Sequence, residues 1–239
     1  MFKILRKIKN LTFYLIVRLY IYDMVNIIKN GTSAPRYYDL ILINPLEVSY
    51  YLRLEDSGLK NLEANVYPFS YHKNDVILVE KLPKVKAIAD RYSKNIDWEE
   101  TELFQKHKKD SYRFGDKIES YEEFLERYER IDKIFAQIKE YQRFKIPSEL
   151  KNEKRLNFEL RKRIKKGFRG QDYPKIHIDQ DCNLLFGGYG HHRLGIARFL
   201  KIALPCRIGV VHPSAIDCFN NYKKLYKEHE SRVKKATQK

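Results

Sequence analysis

The sequence predicts an α+β fold. Three observations carry this. Short alternating apolar stretches occur in two separated regions, 39–79 and 174–212. Between them, residues 97–143 show the three-and-four spacing of buried helix faces almost throughout. Hydrophobic residues make up 43% of the 239 residues, enough for a buried core.

The elements follow in chain order. Residues 1–29 read as one amphipathic helix. Thr12, Arg18, Asp23, Asn26 and Lys29 fall within an arc of roughly 140°, and Phe13, Val17, Tyr20, Met24, Ile27 and Ile28 make the apolar side. Arg18 and Asp23 interrupt the apolar run, and no small-residue cleavage site follows, so the segment reads neither as a signal peptide nor as a span. Packing of its apolar side on the domain is expected. The alternative is a helix lying on a membrane, helped by Lys3, Arg6, Lys7 and Lys9. Gly31, Ser33 and Pro35 end this helix.

Leu40 to Ile43 reads as a strand that turns at Asn44-Pro45, and a short strand is expected near Val66. The segment from Val76 starts as a strand and becomes a helix near Pro83. Asp97 is placed to cap the next helix, where DWEETE complements the dipole. Ser120 and Glu123 form a capping box before a helix that buries Phe124, Tyr128, Ile131, Ile134, Phe135 and Ile138. Residues 143–169 hold eleven Lys or Arg against three acids and read as a solvated basic face, with nucleic-acid contact as the alternative.

KIHID alternates as a strand, QDCN turns, and LLFGG returns. His177 is out of phase with Ile176 and Ile178, so it faces solvent or a site. A helix begins at His191 and buries Leu194, Ala197 and Leu200. The chain then turns at Pro205 into a strand ending at His212, and a lysine-rich helical tail follows. The organisation is a helix at 1–29, a domain at 39–212 with a helical insertion at 80–170, and a basic tail at 213–239.

Net charge is +16, which favours anionic partners. The three cysteines, Cys182, Cys206 and Cys218, are odd in number and include no C-x-x-C pair. That argues against a disulfide framework and for a reducing compartment. The reading is of a cytoplasmic protein, able to lie on the inner face of a membrane through residues 1–29.

GGYGHHR, residues 187–193, is the chemical centre of the sequence. Glycines free backbone N–H groups to point outward together. At a helix N-terminus those donors and the dipole attract an anion. Arg193 can hold two phosphate oxygens, and His191 and His192 can donate or shuttle protons. Gly188, Gly190, His191, His192 and Arg193 are therefore the expected phosphate cradle.

The stretch LLFGGYGHHRLGIARFLKIALPCRIGVV resembles the ParB/sulfiredoxin-like superfamily, in which a strand, a G-x-H-R or G-x-R-R turn, a helix and an iPv-type strand follow one another. LILINPLEVSYYL resembles that superfamily's opening segment. The likeness covers about residues 39–55 and 174–212. It implies a small sheet with helices and a turn that binds nucleotide phosphates. Sulfiredoxin has a catalytic cysteine where this chain has His191, so that activity is not expected. ParB has a glutamate and paired arginines in the turn, then a helix-turn-helix module, and neither is seen here. GHHR is similar to the free-serine kinases of this fold. That likeness implies ATP or ADP with Mg2+, and transfer of phosphate to a hydroxyl on a small molecule or glycan.

In those kinases an acidic residue precedes GHHR, where this chain has Tyr189. A second glutamate near the first strand corresponds to Glu47, the expected base or magnesium ligand. His191 joins it as a catalytic candidate, and Asp179 or Asp181 can stand in for the missing acid. Two rival readings are a nucleotide-gated nucleic-acid binder of the ParB kind and a nucleotide sensor without turnover.

Overall fold

The computed structural model describes residues 20–37, 39–52, 64–110, 113, 114, 117, 118, 120–145 and 173–237. The first nineteen residues of the expected amino-terminal helix, most of the basic run at 143–169 and the end of the 80–170 insertion lie outside them. The fold is mixed α+β, with six α-helices and a seven-stranded mixed sheet among the described residues.

The strands of that sheet are β1 (Leu40–Ile43), β2 (Tyr50–Leu52), β3 (Asn65–Val66), β4 (Val76–Leu78), β7 (Lys175–Ile178), β8 (Leu184–Phe186) and β9 (Leu204–Val211). Their order is β1-β9-β7-β8-β2-β4. β3 pairs with the C-terminal end of β9, past the point where β1 stops. β9 runs antiparallel to β1 and parallel to β7, while β7 and β8 form an antiparallel hairpin. The two β-bearing regions therefore meet in one sheet, β2 lying parallel to β8 with Tyr51 opposite Phe186.

Every residue of β7, β8 and β9 is buried, because both faces of the sheet are covered. One face carries Ile176, Ile178, Leu184, Phe186 and Ile208 into the main core. Across that core lie α2 (Pro83–Ser93) and α5 (His191–Leu200). These helices approach closely at Gly195, where a Cβ would come within 3.1 Å of Ile88. Behind them α3 (Glu102–Lys109) and α4 (Tyr121–Tyr141) add an aromatic layer, in which Tyr92 stacks on Phe135 at 3.5 Å. The opposite face holds a smaller cluster of Leu52, Phe69, Leu185 and Val210. Helix α6 (Ile216–Thr237) packs along β1, so the lysine-rich tail joins the domain through buried Phe219, Tyr226 and Val233.

Several local expectations change. A two-stranded hairpin, β5 (Arg113–Phe114) with β6 (Lys117–Ile118), interrupts the helical stretch, and Gly115-Asp116 stands between its strands in the sequence. Thr101, not Asp97, caps α3 by accepting from the Phe104 N–H, because a single 3-10 turn at Trp98–Glu100 intervenes. Ile134 stays exposed at the edge of the α4 face. The turn before β9 is made by Lys201, left-handed at φ 55°, and Pro205 lies inside the strand. There it costs no ladder bond to β7, whose pairing starts at Arg207. Cys182 and Cys218 form a disulfide, contrary to the expectation from their number, because the β7–β8 turn is brought against the start of α6. Cys206 is free and buried.

Residues 20–30 are helical and form α1. The helix meets the domain through its polar side, not its apolar side. Asn26 is buried and donates to the Pro35 and Ala64 carbonyls, while Asp23 accepts from the Tyr37 N–H. Two buried acceptors outside the helix fix its rotation. Among the described residues no helix is long and apolar enough to cross a membrane.

Candidate functional site: the glycine turn at the head of α5

The turn grows out of the β7–β8 ladder. Gly187 donates its N–H to the Lys175 carbonyl, and Lys175 donates to Gly188. Gly187 has no room for a Cβ, which would stand 2.2 Å from His177 Nε2. Gly209 on β9 closes the other side of that ring, with a Cβ position 2.5 Å from Cε1. Next come three left-handed residues in succession: Gly188 at φ 88°, Tyr189 at 58° and Gly190 at 62°. Tyr189 is the strained member, since a Cβ is disfavoured there.

Gly190 is the N-cap of α5 and has no side chain to offer. The first bond inside the helix runs from the Leu194 N–H to the Gly190 carbonyl. The N–H groups of His191, His192 and Arg193 thus have no acceptor within the helix and stand at its positive end.

Two sets of side chains flank this end. On one side the His191 ring packs edge-on against Phe186 at 4.8 Å and tilts against Tyr51 at 6.1 Å. Burial pushes His191 down to about 4 and His192 to about 3. The Lys84 ammonium, from the first turn of α2, adds to both shifts. Arg127 of α4 and His107 of α3 act on His192 in the same direction. Lys84 itself is pushed down by burial and then by Arg127. Both imidazoles of the turn are therefore neutral at physiological pH, among groups that carry or can take positive charge. On the other side the Tyr189 ring has Lys175 Nζ at 5.4 Å and Arg207 Cζ at 6.0 Å from its centre. Lys175 and Arg207 are paired across β7 and β9, and both are buried. Arg193 turns away from the helix end, with its guanidinium 5.7 Å over the Tyr173 ring.

The expected site residues separate accordingly. Gly188, Gly190, His191 and His192 are together at the turn. Arg193 belongs to the turn by its backbone only. Glu47 lies in the exposed loop after β1, where it accepts from the Tyr222 hydroxyl at 3.4 Å. That loop is held by Arg198, which donates to the Pro45 and Val48 carbonyls. Arg198 is seven residues beyond His191, about 10 Å along the helix axis. Asp179 and Asp181 are in the β7–β8 turn, at the far end of β7 from the glycines, about 13 Å away for four residues of strand. Asp179 is consumed there, accepting from the Tyr71 hydroxyl, the Asp181 and Asn183 N–H groups and the Asn183 amide. Burial, then this bond to Asp179, pushes the Tyr71 hydroxyl up to about 12. Among the described residues no group of three or more His, Cys, Asp or Glu could hold a metal ion. Glu47 has no such companions among the described residues.

His177 is corrected more sharply. It faces neither solvent nor the glycine turn's open side, but is fully buried between Gly187 and Gly209. Its Nδ1 accepts from the Val210 N–H at 2.9 Å, which leaves the ring proton on a buried, unpartnered Nε2. Sequence reasoning missed Lys84, Arg127, Lys175, Arg207 and Tyr51. For Lys175 a signal existed: it shares the strand phase of His177. Lys84 and Arg127 reach the turn only through the packing of α2 and α4.

A scan against protein-family models finds no match, and searches of the curated proteins and of the solved structures find none either.

Proposed function

We propose that the protein binds the phosphates of a nucleotide at residues 187–193, in a site of the ParB/sulfiredoxin-like kind. One observation carries the reading. The α5 N-terminus is capped by a left-handed glycine and projects three first-turn N–H groups beside two neutral imidazoles and Lys84. An anion there completes the helix end. The order β8, turn, α5, β9 is the order in which the resembling segments follow one another.

The chemistry that ATP or ADP would serve is phosphoryl transfer to a hydroxyl of a small molecule or glycan. His191 is the described group best placed to take the acceptor's proton. A phosphate beside it would raise its basicity toward neutrality, where a general base works best. The placement of Glu47 and Asp179 favours a second reading, in which the nucleotide is bound and sensed without turnover.

Calorimetric titration with ATP, ADP, CTP, GTP and the corresponding nucleosides tests the shared claim. Di- and triphosphates should bind and nucleosides should not. Lys84→Ala should weaken binding by about 10- to 100-fold, the loss of one charge-assisted contact. Equal affinity for nucleoside and nucleotide, or no change in Lys84→Ala, would overturn the assignment. Phosphate release or transfer measured on the same samples separates catalysis from sensing.

A further inference from the structure

We infer that α1 docks the protein onto the surface of an anionic lipid bilayer, with its outward face in the interfacial layer. The inference is independent of nucleotide binding. It rests on an inverted helix. The residues of α1 that turn inward are Tyr22, Asp23, Asn26, Ile27 and Asn30, and its buried anchor is the Asn26 amide. The residues that turn outward are Tyr20, Ile21, Met24, Val25 and Ile28, all large and apolar, with Ile21 56% and Ile28 78% exposed. They fall within an arc of roughly 140° at 100° per residue. A globular helix places such an arc against the core. Here the hydrogen bonds of Asn26 and Asp23 hold it toward the outside.

Charge identifies the occupant. The sequence ahead of the helix carries Lys3, Arg6, Lys7, Lys9 and Arg18 and no acid before Asp23, in a chain of net charge +16. Lys29 stands at the other end of the exposed face. An apolar stripe bracketed by cations matches acyl chains beneath anionic headgroups. A bilayer needs no complementary shape from the face that enters it. Tyr20 suits the boundary, with an apolar ring and a polar tip.

Vesicle co-sedimentation of the full chain tests this. Phosphatidylcholine vesicles containing phosphatidylserine should pellet the protein, and pure phosphatidylcholine or raised salt should pellet much less. Ile21→Glu with Ile28→Glu should lower binding by about tenfold or more, because two buried apolar side chains are lost. Lys139→Glu, on exposed α4, makes the same change in net charge and should retain most of the binding. Circular dichroism confirms that the variants fold. Three results would overturn the inference: no binding to anionic vesicles, equal loss in Lys139→Glu, or a dimer in light scattering that the Ile21/Ile28 variant dissolves without any vesicle binding. Protein that resists a carbonate wash would also overturn it, since that marks an inserted span.

Discussion

His177 decides more of the local geometry than any other side chain of the β7–β8 hairpin. Its ring occupies the space that two Cβ atoms would fill, at Gly187 and Gly209. These glycines are required by a close approach rather than by their backbone angles. Gly209→Ala should therefore destabilise the fold by about 1–3 kcal/mol, the usual result of overpacking. Lys175 Cδ, 3.0 Å from the same position, leaves little room for the ring to shift away. Adding His177→Ala to Gly209→Ala should restore part of the loss, because the clash is pairwise. Urea midpoints of the two singles and the double give the coupling. Strictly additive values would mean that the imidazole is not what the glycines accommodate.

At the level of elements, the β7–β8 turn is tied to α6 by the Cys182–Cys218 disulfide, which closes a sequence separation of 36. Chain-entropy reasoning gives a loop of this length about 4 kcal/mol of stabilisation. Dithiothreitol should lower the melting temperature of the parent and leave that of a Cys182→Ser/Cys218→Ser variant unmoved. A parent insensitive to reductant would show that the bond adds nothing to stability. This element was also where sequence reasoning ran short. Apolar spacing located α4 and α5, whose buried sides show in the chain, and alternation located β7, while short apolar runs beside turn residues located β1, β8 and β9 and Pro83 marked the start of α2. The Ser120–Glu123 box and the break before residue 40 were legible as local signals of their own. Pairing was not. Nothing local says that Cys182 will face Cys218, that Glu47 will lie by the C-terminal half of α5, or that α1 will dock by Asn26. Each depends on contacts between residues far apart in sequence.

For the whole molecule, buried His177 and half-buried His191 and His192 make stability depend on pH. His177 and His192 are pushed down to about 3 and His191 to about 4, each chiefly by burial. An unfolded chain titrates all three near the ordinary value of about 6.5. Folding thus favours the neutral rings. Their contribution is whole above about pH 6.5 and is lost as pH falls toward the folded values. In that window the unfolded state holds up to three more protons than the native state. Unfolding free energy should then drop by up to about 4 kcal/mol per pH unit at the steepest, less whatever water reaches the partly buried pair at the turn. A bound phosphate changes the count. It favours the protonated forms of His191 and His192 but not of His177, which is enclosed between β7, β8 and β9. Phosphate or nucleotide should therefore bind more tightly as pH falls from 7.5 to 5.5, with proton uptake visible as a buffer-dependent heat. It should also flatten the pH dependence of stability toward that of one histidine. Denaturation midpoints across this range, with and without the anion, give both quantities. If the two curves stay parallel, the anion does not meet the imidazoles of the turn, and the phosphate site at the head of α5 is wrong even if the protein binds nucleotide elsewhere.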